Sequence, residues 1–400
     1  MKVAIIDFLP SVVHYDMHLV SSISKILPDI EFVTKGYTRE KDYFKTLEKC
    51  VKIKYVNKYS KNVILSRKQI KLFEYFFIDL PSLFFYFKKN NFHIVHFQLL
   101  YPMPGFVDFL LILLVKLFGI KVVYTVHNVL PHNYSGKKFI GKINYIFYKY
   151  LYKTVDRIIA HSQNMKEDII SIFGIKEDKL SVIPHGVLFF NENTKMSKSE
   201  AKKRLGLSYS DKVILFQGFM SPYKGVEYLV EAFPIIYKKI PKVSLLIVGT
   251  GEKEYINVLK KKIEYMLVQY NIPRKAVIEK FDYIPVIDLP LYFQGSEVVV
   301  LPYTEVSQSG VLLTAYAFGK PVVCSNIGAF KESVCDNVNG YLVEPKDSRA
   351  IADAIISTID NENKTKTMGH NSYMLAKEKY SWDVIALKTV QLYKTLIESK

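Results

Sequence analysis

Cysteine is scarce. Three occur in 400 residues, Cys50, Cys324 and Cys335, an odd number without metal-ligand spacing. A disulfide framework and a zinc site are excluded, and a reducing cytoplasm is the expected compartment. Long hydrophobic runs are also lacking. The greasiest stretch, residues 106–120, carries Asp108 and Lys116 and falls short of the roughly twenty apolar residues a bilayer span needs. It reads as a buried or interfacial helix. The apolar run at the N-terminus is too short for a signal peptide and reads as a first buried strand. There are no short-period repeats, no low-complexity tail and no Asp-x-Asp dyad placed to hold a metal, so no metal is expected.

What is present is length, apolar content and positive charge. Four hundred residues exceed one hydrophobic core, so two domains are expected, and 49% apolar residues suffice for buried sheets. The net charge is +17, and residues 1–190 hold 27 basic against 15 acidic residues, a net +12. The excess is densest at 35–89, beside the aromatic runs at 72–77 and 83–87. Lysines beside clustered rings suit an anionic membrane surface. A solvated lysine-rich face over a core helix accounts for the same residues. Nucleic acid is not an expected partner, because no binding motif accompanies the charge.

Short apolar runs alternate with amphipathic segments. Buried strands are read at 3–6, 94–97, 122–126 and 157–160, then at 213–216, 244–248, 276–279, 297–301 and 321–325. Helix-length segments separate them, the pattern of parallel sheets covered on both faces. The polar stretch 191–198 reads as a linker. The expected class is α/β, with two Rossmann-like doubly wound domains facing a cleft. Domain one is 1–190 with a returning C-terminal helix at 378–400; domain two is 191–377. Chemistry is then expected at strand-to-helix turns, where unpaired amides and the helix dipole favour phosphate.

Three turns stand out. In 215–225, Gly218 permits a sharp turn and Lys224 precedes a helix, where its ammonium can meet an anion. In 301–323, Glu305 lies at a strand's C-terminal edge, and a helix opens near Ser309 and Gly310 with backbone amides free to cradle a diphosphate. In 122–128, His127 ends a buried strand. An ordinary surface lysine, a solvated glutamate and a structural histidine are the plainer readings of these residues.

The chain resembles the retaining family-4 glycosyltransferases of GT-B fold, nearly end to end. The resemblance is carried by Thr125-Val126-His127-Asn128, by 156–162, by Pro184-His185-Gly186, by Tyr223-Lys224-Gly225 and by Gly249-Thr250-Gly251. Tyr283-Ile284-Pro285 and Gly319-Lys320-Pro321 follow in the same order. It implies that Lys224 binds the donor diphosphate and stabilises the leaving group, aided by backbone amides at Ser309, Gly310 and Val311. It implies that His127 hydrogen-bonds the donor sugar, that Glu305 holds its 3- and 4-hydroxyls, and that Phe281 to Tyr283 line the base pocket. Thr314 stands where a ribose-binding Glu is usual, Phe219 where an Arg is frequent, and 8–13 lacks the usual Gly-Gly loop.

The resemblance thus implies a retaining transferase using a UDP- or GDP-linked sugar and a lipid-linked or surface-glycan acceptor. The few cysteines make the cytoplasm the expected location, and the basic, aromatic N-terminal half suits a peripheral position on the inner membrane face. A non-catalytic sugar-binding subunit and a nucleotide-sugar epimerase remain the alternatives.

Overall fold

The computed structural model describes residues 1–8, 13–34, 47–56, 80–99, 105–129, 138–187, 196–240 and 242–398. The chain forms two compact units, Met1–Gly186 with Trp382–Lys400, and Val187–Ser381.

The first unit holds β1 (Val3–Asp7), β2 (Ile30–Thr34), β3 (Lys52–Tyr55), β4 (Ile94–Leu99), β5 (Lys121–Val126), β6 (Arg157–Ala160) and β7 (Leu180–Val182). They form one parallel sheet in the order β3-β2-β1-β4-β5-β6-β7. Successive side chains leave a strand on opposite faces, and here both faces are buried. Ala4, Ile6, Val95, Phe97, Val122 and Tyr124 join one core cluster. Their neighbours Val3, Ile5, Ile94 and Val123 join another. Helices Leu80–Lys89, Gly105–Leu117, Lys138–Thr154 and Gln163–Phe173 cover the first cluster. Val13–Ser24 and the last helix, Trp382–Glu398, cover the second and pack on each other. Right-handed crossovers explain this division: β4 to β7 advance one way across the sheet, whereas β1 to β2 runs the other.

The second unit holds β8 (Lys212–Gln217), β9 (Val243–Val248), β10 (Val277–Lys280), β11 (Val298–Leu301), β12 (Val322–Ser325) and β13 (Gly340–Val343). This sheet is also parallel, in the order β10-β9-β8-β11-β12-β13. The chain reverses direction across the sheet between β8 and β11, so the turns after these two strands lie side by side at the edge where such sheets bind ligands.

All nine strands read from the sequence are present within a residue or two of the expected ends. The sequence reading passed over β2, β3, β7 and β13. β3 alternates Lys52 and Lys54 with Ile53 and Tyr55 at a sheet edge, and β7 is three residues long. Inside buried β2 sits Glu31, whose carboxylate is met by Lys2 at 3.1 Å and Lys52 at 2.9 Å. The stretch 106–120 forms most of the helix Gly105–Leu117. The aromatic run at 72–77, the loop at 9–12 and most of the 191–198 linker lie outside the described residues. Among the described residues no helix is long and apolar enough to cross a membrane.

Candidate active site

After β8 the chain passes Gly218, whose amide donates to the Val248 carbonyl at 3.1 Å, and makes one tight helical turn over Pro222–Lys224. Gly225 ends that turn in the left-handed region at φ 61°. A Cβ there would stand 2.0 Å from the Pro302 carbonyl oxygen, so only glycine lets the β8 turn approach the β11 turn this closely. The two turns are tied at Thr304, whose amide and hydroxyl both donate to the Tyr223 carbonyl, at 2.8 and 3.3 Å.

This approach leaves Lys224 half-buried between rings. Its Nζ stands 3.8 Å from the Tyr303 ring centre and 4.9 Å from that of Tyr223. Burial lowers its pKa to about 8, and among the described residues no carboxylate pairs with it. Ring faces recover part of the lost hydration but supply no counter-charge. The ammonium is therefore placed to gain from an incoming anion.

On the β11 turn, Ser309 caps the helix Gly310–Ala317, its Oγ accepting from the Leu312 amide at 3.3 Å. The first-turn amides, those of Gly310 and Val311 included, have no acceptor within the helix. A Cβ added to Gly310 would meet nothing within 4 Å, so open space adjoins these donors. Val311 is half-buried against the core. Thr314 is buried, its hydroxyl donating to the Gly310 carbonyl at 2.8 Å, which leaves its oxygen as an acceptor. Glu305 is exposed on the same turn. Its charge, with that of Glu252, adds to burial in raising the pKa of Tyr223.

Phe281 and Tyr283 follow β10, two strands from β8. Phe281 packs half-buried with Lys260 Nζ 5.6 Å from its ring centre, while Tyr283 is 69% exposed. Gly218, Lys224, Glu305, Ser309 and Gly310 are thus gathered on adjoining turns at the β8/β11 reversal, and the two aromatics stand apart from them. Phe219 is exposed. Among the described residues no group of three His, Cys, Asp or Glu side chains could hold a metal.

His127 follows β5 in the first unit, where its protonation follows from its neighbours. His161 Nδ1 lies 3.0 Å from the Ile183 carbonyl, and its Nε2 lies 3.3 Å from His127 Nδ1. A carbonyl only accepts, so His161 carries its proton on Nδ1 and accepts at Nε2. His127 then donates from Nδ1 and keeps a lone pair on Nε2. Burial holds both rings neutral, pushing His161 down to about 3 and His127 well below its usual range; repulsion from His161, His185 and His96 adds to the latter.

The Gln98 amide stands 3.4 Å from His127 Nε2 and 3.5 Å from His96 Nε2. Satisfying both rings takes its amino group to His127 and its oxygen to His96. His96 Nδ1 accepts from the Tyr393 hydroxyl at 2.6 Å, and its Nε2 reaches Thr125 Oγ1 at 2.7 Å. Tyr15 wedges edge-on against His127 at 4.9 Å between ring centres.

Sequence reading missed Tyr303, the ring beneath Lys224, and the roles of His161 and Gln98. All three depend on pairing between strands distant in sequence. The visible signals were a tyrosine two residues past a buried strand and the place of His161 within the family-like segment 156–162.

A model of the family described as glycosyl transferases group 1 matches residues 197–374, and one of glycosyltransferase family 4 matches 34–187. An uncharacterized glycosyltransferase of Methanocaldococcus jannaschii is 31% identical over 245 residues, 60% of this chain and 60% of that relative's length. The capsular polysaccharide biosynthesis glycosyltransferase CapM of Staphylococcus aureus is 27% identical over 280 residues, covering 69% of this chain and 70% of CapM. Among solved structures, Anabaena HepE in complex with UDP superposes with a TM-score of 0.74 at 17% identity, covering 99% of this chain and 100% of HepE. With one family model on each unit and the fold shared along the whole chain, the protein belongs to the group 1 glycosyl transferases of family 4, with the GT-B fold.

Proposed function

We propose that the protein transfers a hexosyl group from a nucleotide-sugar, UDP- or GDP-linked, with retention of configuration, to a lipid-linked or growing surface glycan. The observation that carries this is Lys224, a half-buried ammonium without a carboxylate partner among the described residues, beside the capped N-terminus of the helix Gly310–Ala317. Cleavage of the donor leaves negative charge on the diphosphate. Fixed positive groups aimed at such developing charge usually contribute more to catalysis than any other single effect. Lys224 supplies a whole charge, and the amides of Gly310 and Val311 supply aligned dipoles.

Glu305 is exposed on the same turn and would accept hydrogen bonds from sugar hydroxyls. Thr314 offers the ribose a neutral acceptor where a carboxylate would bind more strongly. Phe281 and Tyr283 would stack on the base. His127 would accept from a sugar hydroxyl at Nε2 in place of the Gln98 amino group. HepE, which shares the fold, is known with UDP and with UDP-glucose. CapM, named for capsular polysaccharide biosynthesis, supports the acceptor class.

Thermal unfolding with a panel of UDP-, GDP- and ADP-sugars tests the donor. At a hundred times its Kd the true donor stabilises by about 2.7 kcal/mol. The UDP-sugars are expected to give the largest shift. A panel without any shift would overturn the reading, and sugar turnover without acceptor would make the protein an epimerase.

A further inference from the structure

We propose that the outer face of the helices Leu80–Lys89, Gly105–Leu117 and Lys138–Thr154 docks on an anionic lipid bilayer. The crossover rule puts all three on one side of the first sheet, and they adjoin in that order. The ring centres of Phe84 and Phe118 are 4.8 Å apart across the first junction, and those of Phe109 and Phe147 are 6.3 Å apart across the second.

The inward side chains of these helices fill the core, yet the outward ones are apolar too. Leu110, Leu113 and Leu117, at helical spacing, are exposed, Leu117 to 80%. Phe85 on one side, and Ile146 and Tyr150 on the other, are exposed beside them, Phe85 to 64%. Scattered apolar surface residues are ordinary, but stripes on three adjoining helices make a patch of the kind that marks an interaction site.

Charge selects the occupant. Lys88, Lys89, Lys149 and Lys153 edge the patch, and the first and third helices, which carry them, hold no Asp or Glu; the middle helix holds Asp108 alone. Lys88 Nζ lies 5.3 Å from the Phe118 ring centre, so cation and aromatic share one surface. A second copy of this chain would bring the same lysines against their like, which opposes a self-complementary interface. A bilayer of acidic lipids offers phosphates to the lysines and an apolar depth for the leucines and rings. Docking here involves no step of sugar transfer, so its failure and that of the proposed activity are read separately.

The test is sedimentation with vesicles of phosphatidylglycerol and phosphatidylcholine, compared with phosphatidylcholine alone. The full chain is expected to bind the anionic vesicles at low salt and to be released at about 0.5 M, where screening is nearly complete. Leu117→Asp, and separately the Lys88→Glu/Lys89→Glu pair, should each weaken binding about tenfold or more while leaving nucleotide-induced stabilisation unchanged. Lys149→Glu/Lys153→Glu provides an independent variant should one of these fold poorly. Equal binding to neutral and anionic vesicles, or variants that bind like wild type, would overturn the proposal. So would a dimer in sedimentation velocity that Leu117→Asp dissociates without any vesicle binding.

Discussion

Lys224 shows how a single side chain changes meaning when its neighbours are known. In the sequence it is a lysine before a helix, equally an ordinary surface residue. In the fold it is desolvated between Tyr223 and Tyr303, and burial lowers its pKa to about 8. The charged form is the one that binds phosphate, so the sign of the pH effect is fixed. Diphosphate affinity is held below pH 8 and falls as pH rises through that value, while the bound anion itself moves the pKa up. Titration calorimetry with UDP between about pH 6 and pH 9.5 should show this loss in the wild type. Lys224→Ala should bind more weakly throughout and lack that limb. A wild-type affinity that stays flat to the upper end would separate Lys224 from the phosphates. What the sequence could not disclose was Tyr303, because β8 and β11 are neighbours only after five intervening elements have folded. The His161–His127 pairing was hidden for the same reason, since β5 and β6 set it across a sheet.

At the scale of elements, most strands and the positions of the turns after β5, β8 and β11 were legible, because buried parallel strands announce themselves as short apolar runs. Edge strands such as β3, wet on one side and carrying lysines, do not. Two glycines make the turns testable. Gly225 has positive φ and no room for a Cβ, whereas Gly310 begins a helix facing open space. Gly225→Ala should cost about 3 kcal/mol of stability and displace Lys224, so that nucleotide binding falls with it. Gly310→Ala should leave the unfolding temperature within a degree or two or raise it slightly, since alanine suits a helix better than glycine. It should nonetheless weaken nucleotide binding, because its methyl group would occupy the space beside the first-turn amides. Calorimetric unfolding with and without UDP reads both effects. A destabilised Gly310→Ala variant that binds UDP normally would contradict this assignment of the helix N-terminus.

The whole molecule is two units, with the chain's last helix serving the first. Ile385, Val390, Leu392, Tyr393 and Leu396 are buried with Val13–Ser24, and Tyr393 completes the hydrogen bonds of His96. Each large apolar side chain so buried is worth roughly 1.5–3 kcal/mol, and together they rival the 5–15 kcal/mol by which a domain is typically stable. Deleting residues 382–400 should therefore leave Met1–Gly186 open to proteolysis while Val187–Ser381 stays resistant. Equal resistance of both units would show that the helix is dispensable. The return of the helix follows from family resemblance, whereas periodicity alone marks an amphipathic segment without naming the surface it covers.

The proposed transfer rests on Lys224 stabilising the departing diphosphate. Its most direct test is the rate of nucleoside diphosphate release by wild type and Lys224→Ala, at saturating donor and acceptor, with folding checked by thermal unfolding. A normally folded variant slowed about a hundredfold or more is expected, the scale for one lost transition-state donor. A folded Lys224→Ala protein that turns over at the wild-type rate would contradict it.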